Sequence, residues 1–419
     1  MNKLCNIIFW VVAVFLTLLG IYTRLNLYIS DIPLWWDEIT LAESLTRQAP
    51  FDVFLHLFGT QKAPALFVFF TNIITMIFGV NTFSLRLIPL LSGIGTYFIG
   101  YFVAKKLFQT KLPIILFFAF LTFSTILTYY SNEFKPYQSD VIVLLLLILL
   151  YSKIDFNNLS IKKAVLYGFL SLLLCQFSFP AMFNIPAIII TKMIENKKIY
   201  YKAFFPLLGV IGAGLYSRWL FRNIYDFEIN NEPAWTNGLL NFSFESFNNM
   251  LSDYFQFFSI DYRYGALFLI GGLIIFLVQK NKYAICMLIC FIIICIASLL
   301  HIYPLTGRII LYMVPVFIFF LLKPLDVEIK DRNINEKVMV FIRTILLATI
   351  LYFSFHPVTN IFDKESFALN SGFEYRIKEK QVYLKFLNEY DKKGKLFFND
   401  KSSTYLFYYI LTNRNHANK

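Results

Sequence analysis

The sequence predicts an all-α polytopic membrane protein, and three observations carry that prediction. Apolar runs of spanning length recur along most of the chain. Of 419 residues, 58% are hydrophobic and only 15% charged, a balance outside the soluble globular range. Lysines gather in the short segments between the runs, where they act as topology signals.

The runs lie at 4–22, 87–104, 112–130, 137–151, 164–179, 181–194, 203–220, 263–279, 283–300, 309–322 and 338–355. Most approach the roughly 20 residues needed to cross a hydrocarbon layer. The first, Leu4 to Tyr22, has the look of a signal peptide but no clear small-residue cleavage site, so it reads as an uncleaved helix. A twelfth run, Pro64 to Val80, decides the topology. If it crosses, the lysine-rich loops end up outside. If it lies in the outer interface, or dips in and returns, those loops are inside. They hold Lys105, Lys106 and Lys111; Lys153, Lys162 and Lys163; Lys192, Lys197, Lys198 and Lys202; and Lys280 and Lys282, with the mixed loop 323–337. The second arrangement gives a multi-pass inner (plasma) membrane protein with about eleven transmembrane helices, a cytoplasmic N-terminus and an extracytoplasmic C-terminus. Segments 23–63, 131–136, 221–262 and 356–419 are then outside. Residues 1–355 form the transmembrane domain. The tail 356–419 reads as a small C-terminal α/β extracytoplasmic domain, with a charged helical stretch at 374–395, a strand-like KLFFND and an apolar STYLFYYIL.

The net charge of +12 resides largely in the loop lysines, which argues against nucleic acid and for membrane lipids as partners. Cys5, Cys175, Cys286, Cys290 and Cys295 all lie in apolar runs and behave as small hydrophobes. Cys286 and Cys290 share a helix face with no His or carboxylate nearby, a poor start for a metal site.

Chemistry-bearing residues collect in the predicted outer segments. In LWWDEIT, two tryptophans put Asp37 and Glu38 at interface depth, where a partly desolvated carboxylate suits general-base work and solvated helix-capping acids are the plainer alternative. In GTQKAPALFVFF, Lys62 precedes Pro64 at a helix start; a cation there adds to the positive end of the dipole and suits an anion, or else snorkels to water. SNEFKPYQSD crowds Glu133, Lys135, Tyr137 and Asp140 into a short loop, where Glu133 and Lys135 can pair and Asp140 can cap the next helix. In HIYPLTGRIILYMVP, Arg308 opens a run after Tyr303, and its planar fork matches phosphate. Arg86 has a similar place in FGVNTFSLRL; a headgroup anchor is an alternative for either arginine, and for Arg86 it is the better reading. An acidic pair also suits a divalent cation, the one possible cofactor, though no metal ligand set is assigned. No Walker loop, GxGxxG, HExxH or GxSxG motif is present.

In order and spacing these motifs resemble the bacterial C-type (GT-C) glycosyltransferases of the family 39 class, which include protein O-mannosyltransferases and lipid A aminoarabinose transferases. The resemblance rests on Asp37-Glu38, Lys62-Ala-Pro64, Phe78-Gly79 with Arg86-Leu87, Glu133-Phe-Lys-Pro-Tyr137, and Tyr303-Pro304 with Gly307-Arg308. Many relatives carry two prolines after the lysine and Asp at the position of Glu133. The resemblance implies a GT-C-like bundle with interfacial helices in the first outer loop. It also implies a polyprenyl-phosphate-linked sugar as donor and an acceptor hydroxyl on protein, lipid or glycan. Asp37 would be the general base, with Glu38 and Glu133 the accompanying catalytic acids. Lys62, Arg308 and Arg86 would hold phosphate, and Lys135, Tyr137 and Tyr303 would line the substrate site. Two other classes share features with this one: a polysaccharide polymerase or ligase of the cell envelope, and a lipid-linked sugar transporter or flippase. A transporter would be expected to show paired broken helices and mid-membrane charges.

Overall fold

The computed structural model describes residues 3–30, 34, 36–47, 49–57, 62–151, 153–222, 239–243, 245–250, 262–305 and 307–326. The expected run 338–355, the expected C-terminal α/β domain and most of 221–262 lie outside the described residues.

The described chain is helical, with no strand among its residues. In order, the helices are α1 (Lys3–Ile29), α2 (Trp36–Arg47), α3 (Ala65–Phe78), α4 (Thr82–Leu107), α5 (Lys111–Phe123), α6 (Thr125–Tyr130), α7 (Tyr137–Tyr151), α8 (Ile161–Phe177), α9 (Ala181–Asn196), α10 (Phe204–Leu220), α11 (Tyr262–Val278), α12 (Lys282–Leu299) and α13 (Val314–Leu322). Short 3₁₀ turns at Pro50–Phe54 and Gly307–Met313 complete the set used below. The ten expected runs up to residue 322 all fall on helix. Among the described residues, Asn6–Ile29, Thr82–Leu107, Tyr201–Leu220, Lys282–Leu299 and Arg308–Leu325 are long and apolar enough to cross a membrane. Ala65–Phe78, Lys111–Phe123 and Tyr137–Tyr151 are shorter apolar helices.

The surface confirms a lipid-facing exterior. On α1, Phe9, Ala13 and Leu16 are buried while Ile7, Val11, Val14, Phe15 and Leu18 are exposed. A helix apolar on every face belongs in lipid rather than water. α1 also runs seven residues past the expected Tyr22, to Ile29. That extension carries Arg24 into the protein, where Nη1 donates to Tyr97 Oη (2.8 Å) and Nη2 to the Leu121 carbonyl (3.0 Å). The reason lies in α5, which breaks at Ser124 (φ −68°, ψ 105°) before α6. The break leaves the Leu121 carbonyl without its helical donor, and Arg24 supplies one.

Polar contacts sort the loops to two ends. At one end, Lys111 donates to Asn6 Oδ1, and Asp326 accepts from the Gln109 and Thr110 backbones. Glu195 there takes Tyr151 Oη (2.6 Å), Lys192 and Lys282 (both 3.3 Å). At the other end, Tyr28 Oη bonds the Phe83 carbonyl (2.6 Å), Tyr216 Oη bonds that of Phe54 (2.7 Å), and loop 131–136 meets α2.

Both ends of α3 lie at this second end. Near its start Phe67 stacks on Phe134 (5.8 Å). After it, Gly79 takes φ 77°, a conformation that glycine adopts without strain, and turns the chain. Asn81 and Ser84 then cap α4 reciprocally (Ser84 N to Asn81 Oδ1, 2.9 Å; Asn81 N to Ser84 Oγ, 3.1 Å), and Phe83 packs on Tyr28. The fourteen-residue α3 therefore starts and finishes on one side, with Met76, Ile77 and Phe78 on its outer surface.

Candidate functional site

α2 begins with Asp37 and Glu38 in its first turn, where unpaired N–H groups favour carboxylates. Successive helical residues point about 100° apart, so adjacent acids diverge. Glu38 turns towards α4 and is fully buried. Its Oε1 accepts from Arg86 Nε (2.9 Å) and the Phe134 N–H (2.7 Å), and its Oε2 accepts from Arg86 Nη2 (2.9 Å). This bidentate fork ties α2, α4 and loop 131–136 together. Glu38 and Arg86 thus satisfy each other, which suits a clamp that positions the site.

Asp37 turns the other way. Its Oδ2 accepts a charge-assisted hydrogen bond from Arg308 Nη2, and Lys135 Nζ lies 3.9 Å from the same oxygen. Arg308 stands at the head of the 3₁₀ turn Gly307–Met313, with its guanidinium 5.8 Å from the centre of the Tyr137 ring. Its side chain is 32% exposed, against 3% for Lys135, so Arg308 is the cation an arriving anion meets first.

Loop 131–136 is compact because it is buried. The Lys135 N–H donates to the Glu133 carbonyl at 2.7 Å, and Gly93 on α4 admits the loop closely: a Cβ there would lie 2.6 Å from that of Ser131. Glu133 is buried and close enough to Lys135 to act on its charge. Burial, reinforced by Arg308, brings the Lys135 ammonium down to about 8 against the opposing pull of Asp37 and Glu133. Lys62 is half-buried and directly precedes the buried Ala63 at the start of α3. Tyr303 packs on Phe183 of α9 (ring centres 5.2 Å apart).

The structure therefore brings together Asp37, Lys135, Glu133, Tyr137 and Arg308, and puts Glu38 with Arg86 beside them. Among the described residues no group of three or more His, Cys, Asp and Glu side chains is arranged to hold a metal. Asp37 and Glu38 face different cations, so this pair is not set to share a divalent ion.

Asp140 is not a helix cap. α7 starts at Tyr137, the Asp140 N–H already bonds the Pro136 carbonyl (2.9 Å), and the carboxylate is buried facing Ser178. Sequence reasoning missed Ser178, Asn184 and Arg24. For Arg24 and Asn184 the advance signal was a charge or amide flanked by apolar residues; the Ser178 hydroxyl gave none.

Chemically, this is a carboxylate held between two cations at one end of an apolar bundle, an arrangement suited to taking up a proton or meeting an anion. Comparison with family models, curated proteins and solved structures finds no match for this chain.

Proposed function

We propose that the chain is an integral membrane glycosyltransferase that moves a sugar from a polyprenyl-phosphate donor to an acceptor hydroxyl, with inversion, on the extracytoplasmic face. The observation that carries this reading is the meeting of Asp37 with Arg308 and Lys135, from three separate segments, at one end of the helical bundle. The opposite end holds Lys111, Lys192 and Lys282, as expected of a cytoplasmic side. A donor anchored in the bilayer by its polyprenyl chain needs no nucleotide pocket, only cations at headgroup depth and a base.

In the proposed reaction the donor phosphate engages Arg308, with Lys135 and Lys62 supporting. Asp37 takes the proton of the acceptor hydroxyl. The acceptor oxygen forms a bond to the anomeric carbon as the bond from that carbon to the phosphate oxygen breaks. The electron pair leaves with polyprenyl phosphate, whose charge the cations stabilise. Glu133 holds Lys135 in place, and the Glu38–Arg86 clamp fixes α2 so that Asp37 faces the cations. The plasma membrane and the outward orientation of this end belong to the same proposal.

The test is sugar transfer by membranes given radiolabelled polyprenyl-phosphate sugars. Asp37→Asn should cut transfer by at least about a hundredfold, the scale of losing a general base, while the protein inserts normally. Undiminished transfer by that variant would remove Asp37 from the chemistry.

A further inference from the structure

The lysine-rich end of the bundle carries a surface that the proposed chemistry does not use. Residues 153–160, between α7 and α8, pack against residues 197–203, between α9 and α10. The buried rings of Phe156 and Tyr200 meet at 5.4 Å. Lys198 Nζ donates to Asn157 Oδ1 (3.4 Å) and Lys202 Nζ to the Asn157 carbonyl (3.5 Å). These loops and the first turn of α8 hold Lys153, Lys162, Lys163, Lys197, Lys198 and Lys202, all exposed except the half-buried Lys202. Two acids lie near them in the chain, and both are engaged. Asp155 accepts from the Asn157 N–H (2.9 Å) and Asn158 Nδ2 (2.8 Å) within its own turn. Glu195 takes Tyr151, Lys192 and Lys282. The surface is strongly positive.

Apolar side chains stand among these lysines. Ile199 is 85% exposed and Tyr201 73%, which leaves both outside the protein's own packing. The same surface opens onto apolar helix stripes. Ile161, Val165 and Phe169 are exposed down α8, and Phe204, Leu208 and Leu215 down α10. Both helices begin at this end and cross closely at Gly168 and Gly209. At about 100° per residue, the two stripes fall on the same side of that crossing.

A partner has to answer both features. A soluble polyanion would meet the lysines and leave Ile199 and Tyr201 in water. A neutral lipid would cover the apolar tips and leave the lysines without counter-charge. An anionic phospholipid does both, since its phosphate draws lysines at the headgroup while its chains cover apolar helix faces. Lysine and tyrosine suit that depth, each with an apolar body and a polar tip.

We propose that loops 153–160 and 197–203, with the adjoining faces of α8 and α10, bind an anionic phospholipid, its phosphate among the lysines and its chains along the two helices. This site stands apart from the transferase reading and holds whichever leaflet this end faces.

The test offers the full chain, in neutral detergent, equal amounts of phosphatidylglycerol and phosphatidylcholine with the same acyl chains. Native mass spectrometry counts the lipid retained. The wild type should favour phosphatidylglycerol by about tenfold or more, and Lys198→Gln with Lys202→Gln should remove most of that preference. Lys105→Gln with Lys106→Gln takes the same charge from the last turn of α4 and should leave the preference intact. Ile199→Ser with Tyr201→Ser keeps every charge and should still weaken retention of phosphatidylglycerol severalfold. A wild type without the preference would overturn the site, as would equal losses in the two lysine pairs, which would mean net charge alone. Polyglutamate is the soluble competitor. If it displaces phosphatidylglycerol, and binds the serine variant as well as the wild type, the surface belongs to an acidic protein partner instead. Melting temperatures check each fold. Should the Lys198 and Lys202 pair melt early, Lys162→Gln with Lys163→Gln, two exposed side chains, decides by the same comparison.

Discussion

At the residue scale, Asp37 and Glu38 differ in every respect except their adjacency. The sequence offers them as a pair. One helical step sends Glu38 into a bidentate fork with Arg86 and Asp37 towards Arg308, 271 positions away. Residue type and interface depth were legible; the partner of each acid was not, because pairing depends on which helices pack together. Lys135 yields a prediction with a sign. Its ammonium loses its proton near pH 8 instead of in the usual lysine range. An anion favours the protonated form, so donor affinity should hold below pH 8 and fall as the pH rises through it, by up to about tenfold per unit. The donor KM of the wild type, measured from pH 6.5 to 9.5, should rise above pH 8. In Lys135→Gln it should start high and lack that inflection. An inflection that survives the substitution would assign it to another group.

At the element scale, helix positions were readable from apolar runs, while breaks and crossings were not. The expected run 112–130 is two helices, α5 and α6, joined at Ser124, and Arg24 on α1 fills the gap in the hydrogen-bond ladder. The local sequence marks that division only through Ser124, whose hydroxyl accepts from the Leu127 N–H (3.2 Å) to cap α6, while the compensation for the break comes from another helix. Close crossings follow the same rule. α8 and α10 meet where a Cβ on Gly209 would lie 2.0 Å from the Gly168 carbonyl oxygen, a backbone atom that cannot swing aside. Small residues permit such approach between membrane helices. Gly209→Val should force the pair apart and cost on the order of 1–3 kcal/mol, seen as a lower melting temperature in detergent. Gly214→Ala, where nothing lies within 4 Å, is the matched control and should leave the melting temperature unchanged or slightly higher. Equal melting by the two variants would mean that the crossing is looser than described.

At the scale of the whole molecule, the lysine distribution implied two unlike ends, and the hydrogen bonds between loops sort into two such ends. Which end faces which compartment is open to labelling. In a background lacking the native cysteines, Phe51→Cys, in the Pro50–Phe54 turn, should react with an impermeant maleimide on intact cells. Lys198→Cys, exposed after α9, should react only once the membrane is opened. Both reacting from the same side would end the proposed orientation. α3 is the hinge of this arrangement in a further sense. It has the greasiness of a spanning segment and only fourteen residues, some six short of a full crossing. Since each later segment inherits its direction from the number of passages before it, α3 works as a parity bit, written in the turn at Gly79 as much as in length, for α5 has thirteen residues and α7 fifteen. Six leucines inserted after Ile74 would supply the missing passage, and a share of the chains should then display Lys198→Cys to the maleimide on intact cells. On the proposed topology, the placing of every later loop, and so of Arg308 beside Asp37, follows from α3 returning to the side it left.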